Sequence, residues 1–366
     1  MHPLFSLWNS IQQHLIPHVE ENLAPLSEKE AEFVRAAELA PVDGLARGHM
    51  WAGNGRKPHP RKPLALAFLA KAVWNLPTTR ALIGFLKASR TVRTLCGWER
   101  AADVPHESTF SRAFDQFAED RLPERLHGAM VAAAMEGRLV GHASMDSTEV
   151  EAREKAAEKP RKEKGPKPGE RRKPGPKEGH KRGKRQPKRL ELQAGRTLEE
   201  NLADLPRRCD YGFKRNSKGF HHMWKGYKLH MAVADGGVPL CAVLTSASTH
   251  DSQVAIPLMQ MGSGRAAVLY DLADSAYDAG LVGGYSRSLG HVPIIEPSGR
   301  NGKARRMDPA ERARYRERTS VERAFSSFKD NYGGRSVRVR GAAKVMAHLM
   351  FGVVALTAAC LVRLLE

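Results

Sequence analysis

Hydrophobic positions recur at helical spacing through the first third of the chain and shift towards a strand period after residue 138. Leu4, Leu7, Ile11 and Leu15 fall three or four residues apart, and Pro17 is expected to end that pattern. Ser27-Glu28-Lys29-Glu30 reads as a capping box that opens a helix through Leu39. The Gly-, Pro- and base-rich segment from Gly44 to Pro63 reads as a loop. Leu64–Trp74 predicts one helix. Thr78 or Thr79 caps the next through Leu86, and Ser89 caps a short third ending near Gly97. Pro105 and the polar run His106–Thr109 make a turn and cap. Phe110, Phe114 and Phe117 then line one helix face, and Arg121–Met135 gives another helix.

From Leu139 the pattern alternates. LVGHASMDSTEVEA predicts a strand with Asp146 near its end. Tyr227–Ala234 and Pro239–Thr245 pair across an Asp235-Gly236-Gly237 turn. A helix over Ser252–Met261 follows. Next come a strand over Ala266–Tyr270, opening into a loop with Asp271 and Asp274, and a helix near Ala279. HVPIIEPSGRN holds a short strand, and two helices close the chain. Early strands followed by alternation predict an α/β domain with a mixed sheet flanked by helices. The division is a helical region over 1–137 and an α/β domain over 138–366, interrupted by a basic insertion over 151–215 that is expected to be disordered.

The penultimate helix, Tyr315–Lys329, contains neither Gly nor Pro. At about 100° per residue, Tyr315, Arg318, Glu322 and Lys329 fall at roughly 0°, 300°, 340° and 320°. Val321, Phe325 and Phe328 lie beside that stripe, at about 240°, 280° and 220°. One flank can enter a core, while the other presents an acid among a phenol, a guanidinium and an ammonium.

Charge alters the picture. With 59 Lys+Arg against 40 Asp+Glu, the 366 residues carry a formal charge of +19. That balance implies a polyanionic partner. Residues 153–189 hold 17 Lys+Arg and 5 Glu, with almost nothing apolar, so they cannot pack a core and suit a DNA-backbone clamp. Four scattered cysteines without a CxxC pair argue against a zinc or disulfide framework and fit a reducing cytoplasm. No signal peptide is expected at the N-terminus. The apolar run Val345–Val362 is long enough to span a membrane but is read as a buried core helix, so no membrane partner is expected. Basic residues interleaved with aromatics in KRNSKGFHHMWKGYK mark Trp224, Lys225, His221 and His222 as a DNA-stacking patch, with a core Trp at a strand edge as the alternative.

The order Tyr-x2-Arg-x3-Glu-x6-Lys, at Tyr315, Arg318, Glu322 and Lys329, resembles the signature of DDE-type insertion-sequence transposases. The resemblance implies a ribonuclease-H-like fold in which Asp146, Asp274 and Glu322 converge. Asp271 and Asp278 compete for the second position. Asp274 is chosen because Asp274-Ser275-Ala276-Tyr277 matches the family's Asp-x2-Tyr after an apolar strand, although Ser275 stands where relatives often carry a Lys or Arg. Three carboxylates suit Mg²⁺ or Mn²⁺ as hard-oxygen ligands and can hold two ions about 3.5–4 Å apart for in-line displacement at phosphorus. Tyr315, Arg318 and Lys329 would grip phosphates near the scissile bond. His250-Asp251 would lie behind the site or cap the following helix.

The helical region resembles the family's end-binding unit, with Arg80, Lys87, Arg90, Arg93 and Arg112 as candidate DNA contacts; a supporting or dimer-forming bundle is the alternative. The implied function is binding of double-stranded terminal inverted repeats, metal-dependent cleavage and strand transfer to target DNA, by a homodimer in the cytoplasm at the nucleoid. A non-catalytic DNA-binding protein and a stand-alone ribonuclease-H-like nuclease are the alternatives. Only 48 positions separate Asp274 from Glu322, so no large inserted β-domain fits between them.

Overall fold

The computed structural model describes residues 3–46, 53, 58–158, 186–215, 219–299 and 305–365. Most of the basic tract, and half of the Gly44–Pro63 loop, lie outside the described residues. Six strands form one mixed sheet: β1 (Leu139–Glu151), β2 (Asp210–Arg215), β3 (His221–Ala234), β4 (Pro239–Ser246), β5 (Ala267–Ala273) and β6 (Val292–Ile295). β1, β3 and β4 run antiparallel, whereas β1, β5 and β6 are parallel. β2 and β4 share one edge of β3, β2 against its first half and β4 against its second. This is a ribonuclease-H-like α/β sheet flanked by helices and preceded by an all-helical region.

Alternation along β3 builds both cores. Tyr227, Leu229, Met231 and Val233 enter the larger one, while Ala232 enters the smaller with Met145, Cys241 and the Ser252–Ser263 helix. The larger core also holds Phe68, Phe110, Phe114 and Phe117 from the helical region, together with much of the final helix, Ala342–Leu365. The helical region and the sheet are thus packed on one continuous core. The final helix is apolar and long enough to cross a membrane, yet its most apolar window is 83% buried inside the protein, which explains its composition. It approaches the Thr319–Asn331 helix closely at Gly352, where a Cβ would stand 2.2 Å from the Tyr332 carbonyl oxygen.

The capping box at Ser27 and the caps at Thr78 and Ser89 form as expected. Several expectations are corrected. Pro17 does not end the first helix: a π turn over Ile11–Leu15 precedes it, and helix continues over Ile16–Asn22, with Pro17 in its first turn. Part of the 151–215 segment is ordered, as two helices (Arg189–Gln193, Leu198–Asp204) and β2. These were hidden by the base-rich context, although Thr197 and Glu200 make a capping box. β5 continues three residues beyond Tyr270, so Asp271 lies inside the strand. The Tyr315–Lys329 helix begins earlier, at Pro309, capped by Asp308, and tightens to a 3-10 turn over Arg316–Arg318 before resuming at Thr319.

Phe328 is fully buried and fixes the Thr319–Asn331 helix to the core. Phe328→Ala is expected to cost about 3–5 kcal/mol of unfolding free energy through lost transfer energy and a residual cavity. Denaturant titration checks this; a loss below about 1 kcal/mol would mean that the site collapses around the truncation.

Candidate active site

Asp146 occupies the middle of β1 rather than its end. The parallel ladder with β5 stops one residue earlier, at Met145↔Ala273, while the antiparallel ladder with β3 runs on through Asp146↔Met231. Asp146 and Asp274 therefore both follow the last parallel pair, side by side where the two strands part. At Asp274 the backbone turns into a 3-10 turn, and the carboxylate accepts from the Ala276 N–H at 2.9 Å. Asp146 accepts from the Ser147 N–H at 2.7 Å.

Arg318 joins the three acids. Its Nη2 donates to Asp146 Oδ2 at 2.8 Å and lies 3.8 Å from Asp274 Oδ2, while its Nη1 donates to Glu322 Oε1 at 2.6 Å. One guanidinium, 14% exposed, thus touches all three carboxylates. The i,i+4 spacing of Arg318 and Glu322 survives the 3-10 turn, which ends at Arg318 itself. Burial pushes Asp146 up to about 6 against the opposing pull of Arg318, and burial likewise raises Asp274.

The competing aspartates are engaged elsewhere. Asp271 is buried and accepts from Ser286 Oγ and His291 Nδ1 at 2.6 and 2.9 Å. Asp278 accepts from the Ser298 N–H at 2.6 Å. The His250-Asp251 pair divides its roles: His250 Nδ1 takes the Ser252 N–H as a cap, whereas Asp251 turns inward to Ser147 Oγ at 3.1 Å and Lys228 Nζ at 3.0 Å. Burial acts to raise Asp251, but His230, Lys228 and Ser147 hold it below the usual carboxylate range. This ionised brace fixes the residue whose N–H supports Asp146. Residue types alone gave no reason to join Lys228 to Asp251.

The two other basic-stripe residues also meet acids. Tyr315 Oη donates to Glu296 Oε2 at 3.2 Å, and Lys329 Nζ lies 3.9 Å from Glu149. Trp224 is buried and donates Nε1–H to the Tyr227 carbonyl at 3.0 Å, so it cannot stack on a base; Lys225 beside it is half-buried. Arg93 is also corrected. It is buried, with Nη1 donating to the Leu86 and Lys87 carbonyls at the end of the preceding helix. Arg80, Lys87, Arg90 and Arg112 are exposed. Of these, Arg80 pairs with Glu107, and Arg112 folds back onto the Ser108 carbonyl.

As they stand, no three acids among the described residues are grouped closely enough to hold a metal ion, because Arg318 lies between Asp146, Asp274 and Glu322; the chemistry of the set, hard carboxylate oxygens, suits a divalent cation that takes the place of the guanidinium. Three carboxylates face one positive centre, two with pKa values raised by burial, a penalty that a stronger cation would offset. Beside them, Tyr277 Oη and Arg318 Nε are buried without a hydrogen-bond partner among the described residues, as a site built for further polar occupants would leave them.

Asp146 is expected to give a pH signature. Its carboxyl is harder to ionise in the fold, at about 6, than in an unfolded chain, where it titrates near 3.9. The stability it contributes is therefore present below about pH 4 and lost as pH rises through about 6. In chelated, DNA-free protein, Asp146→Asn should remove that downward slope from the unfolding free energy; thermal melts of both proteins from pH 4 to 8 check it. Parallel curves would place the proton elsewhere.

The transposase DDE domain family matches residues 141–358, which contain all but the first two residues of β1, the strands β2 to β6, the three acids and most of the final helix. A second family, described as a transposase domain (DUF772), matches residues 20–116 in the helical region. No curated protein matches the chain, and no solved structure does. The first family covers more than half of the sequence and includes the strand ends at which Asp146 and Asp274 meet; the chain belongs to the DDE-domain transposases of insertion sequences.

Proposed function

We propose that the protein binds the terminal inverted repeats of its element, cleaves the DNA with Mg²⁺ or Mn²⁺, and joins the freed 3′ ends to target DNA. The carrying observation is the convergence of Asp146, Asp274 and Glu322 on one guanidinium. Asp146, Asp274 and Glu322 would hold the metal, two ions when substrate is present. The metal supplies a nucleophilic oxygen at neutral pH and neutralises charge on the leaving oxygen.

The protein's residues do the rest. A phosphorus–oxygen bond forms to water or to a 3′-hydroxyl, which gives up its proton to solvent; the phosphorus–O3′ bond breaks, and the 3′ oxygen leaves with the electron pair and takes up a proton from solvent. The Asp251–Lys228–Ser147 brace keeps Asp146 in register. Arg318, the acids' counter-ion in the DNA-free protein, can turn its fork to a phosphate once a cation replaces it. Tyr315, bonded to Glu296, and Lys329, beside Glu149, would position the flanking backbone. In the helical region, Arg80, Lys87, Arg90 and Arg112 offer phosphate contacts. Two ends must be processed together, which calls for a homodimer on DNA. The strong positive charge suits a protein working at the nucleoid in the cytoplasm.

The test is strand cleavage and joining by full-length protein on a duplex carrying the element's own end, with Mg²⁺, Mn²⁺ or EDTA. Cleavage and joining with metal, and neither in EDTA, support the proposal. Specific end binding without cleavage under either metal would leave a DNA-binding protein. Cleavage without joining would leave a nuclease.

A further inference from the structure

β2 and the first half of β3 form a ribbon that projects beyond its neighbours. β1 stops pairing at Glu151↔Gly226 and β4 at Ser246↔Tyr227, whereas β2 pairs with β3 from Gly226 back to His221. Four of the eleven exposed large hydrophobic residues among those described lie on or beside this ribbon: Tyr211, Phe213, Phe220 and Met223. Phe213 stands directly opposite Met223, and Tyr211 opposite Lys225, so these four side chains share one face. Phe213 is 69% exposed. Trp224 lies on the opposite face, against Gly212, where a Cβ would stand 2.4 Å from its ring, and thereby stiffens the ribbon.

We infer that this ribbon is a DNA-contacting arm whose Tyr211–Phe213–Met223 face stacks on unpaired bases beside the cleavage site; this rests on the DNA-cleaving function proposed above. Charge selects the occupant. Lys214 and His222 are cross-strand partners on the Trp224 face, Lys225 lies on the stacking face, and neither described strand carries an acid except Asp210 at its start. The arm also continues from the candidate active site. His222 Nε2 lies 3.5 Å from Glu149, the same carboxylate that Lys329 approaches at 3.9 Å; burial lowers the pKa of Lys329, and Lys214 is near enough to lower it further. That row runs on the Trp224 face, whereas the aromatics share the other face with Lys225 and His221, so a strand leaving Asp146 with its backbone on the row would lay its bases over the ribbon's edge onto the aromatics. Exposed aromatics with cations on the same two strands are the arrangement that binds single strands without reading sequence. An exposed apolar face on an edge ribbon is otherwise a liability in water.

The test uses full-length wild type, Phe213→Ala and Phe213→Trp, with a dT20 oligonucleotide carrying a central 2-aminopurine and a 20-base-pair duplex, at fixed salt. Base–aromatic stacking contributes about 1–3 kcal/mol per base, so Phe213→Ala should weaken dT20 binding roughly tenfold or more. It should also abolish the change in 2-aminopurine fluorescence and alter duplex binding less than about twofold. Phe213→Trp should retain both signals. Phe213 is exposed, so equal melting temperatures are expected and verify folding. Undiminished dT20 binding by Phe213→Ala overturns the arm while leaving the DNA-cleaving reading intact. If instead Phe213→Ala changes only the sedimenting mass, the face is an interface between copies of the chain and the inference fails. Wild type binding neither oligonucleotide nor duplex would overturn both the arm and the proposed function.

Discussion

Glu322→Gln is expected to bind the element's end as wild type does and to cut it slower by about 10³-fold or more, about 4 kcal/mol of transition-state stabilisation. The substitution is nearly isosteric, and Glu322 is 56% exposed, so folding should be unaffected. What changes is one negative oxygen donor of three. A neutral amide neither offsets a divalent cation nor holds it against the charge that develops on the leaving oxygen. Binding by the basic surface is governed by phosphate neutralisation and should persist with its salt dependence unchanged. Gel-resolved cleavage with mobility shifts on the same substrate separates the two. Equal cutting by both proteins would remove Glu322 from the site. Parallel loss of binding and cutting would place it in DNA recognition.

Arg318→Ala should move two quantities in opposite directions. Its guanidinium is shared among three carboxylates in the DNA-free protein and offsets part of their charge, so removing it uncovers their field and should raise Mn²⁺ affinity several-fold, read by the free-Mn²⁺ electron paramagnetic resonance signal. Cleavage should nevertheless fall by about 10²–10³-fold, because the fork proposed to turn to phosphate is gone. Arg318→Lys keeps the charge without the bidentate geometry, and should restore the lower metal affinity while recovering only part of the cleavage rate. The stability of Arg318→Ala should drop below wild type when metal is chelated, since Asp146 and Asp274 lose their cation, and recover on adding Mn²⁺. Weaker metal binding in Arg318→Ala would show that Arg318 orders the acids rather than competing for their site.

Much of this architecture is carried by local pattern. Caps at Ser27, Thr78 and Ser89, the Asp235-Gly236-Gly237 turn and the phenylalanine face of the Glu107–Glu119 helix follow from side chains bonding or packing within a few residues. The signature spacing on the Thr319–Asn331 helix, with Arg318 at its start, is local in the same sense: a four-residue step brings Arg318 to Glu322 whatever surrounds it. The failures at Pro17 and β2 are also local in origin. A π turn absorbed one proline, and a base-rich context concealed a short edge strand that backbone pairing with β3 completes.

Tertiary structure decided what depends on partners distant in sequence. Asp274 stands beside Asp146 because β5 pairs parallel to β1 and their ladder ends at Met145↔Ala273, whereas Asp271, three residues earlier, is committed to Ser286 and His291. Asp251 reaches inward because Lys228, on another strand, offsets its buried charge, while adjacent His250 remains a cap. Trp224 reads as a stacking residue in sequence, but strand pairing sets Gly212 against it and buries the ring, leaving Phe213 on the open face. Spacing fixes which side chains share a helix turn or a strand face. Only the pairing of elements determines which face meets a core, which meets a charge and which is left to solvent.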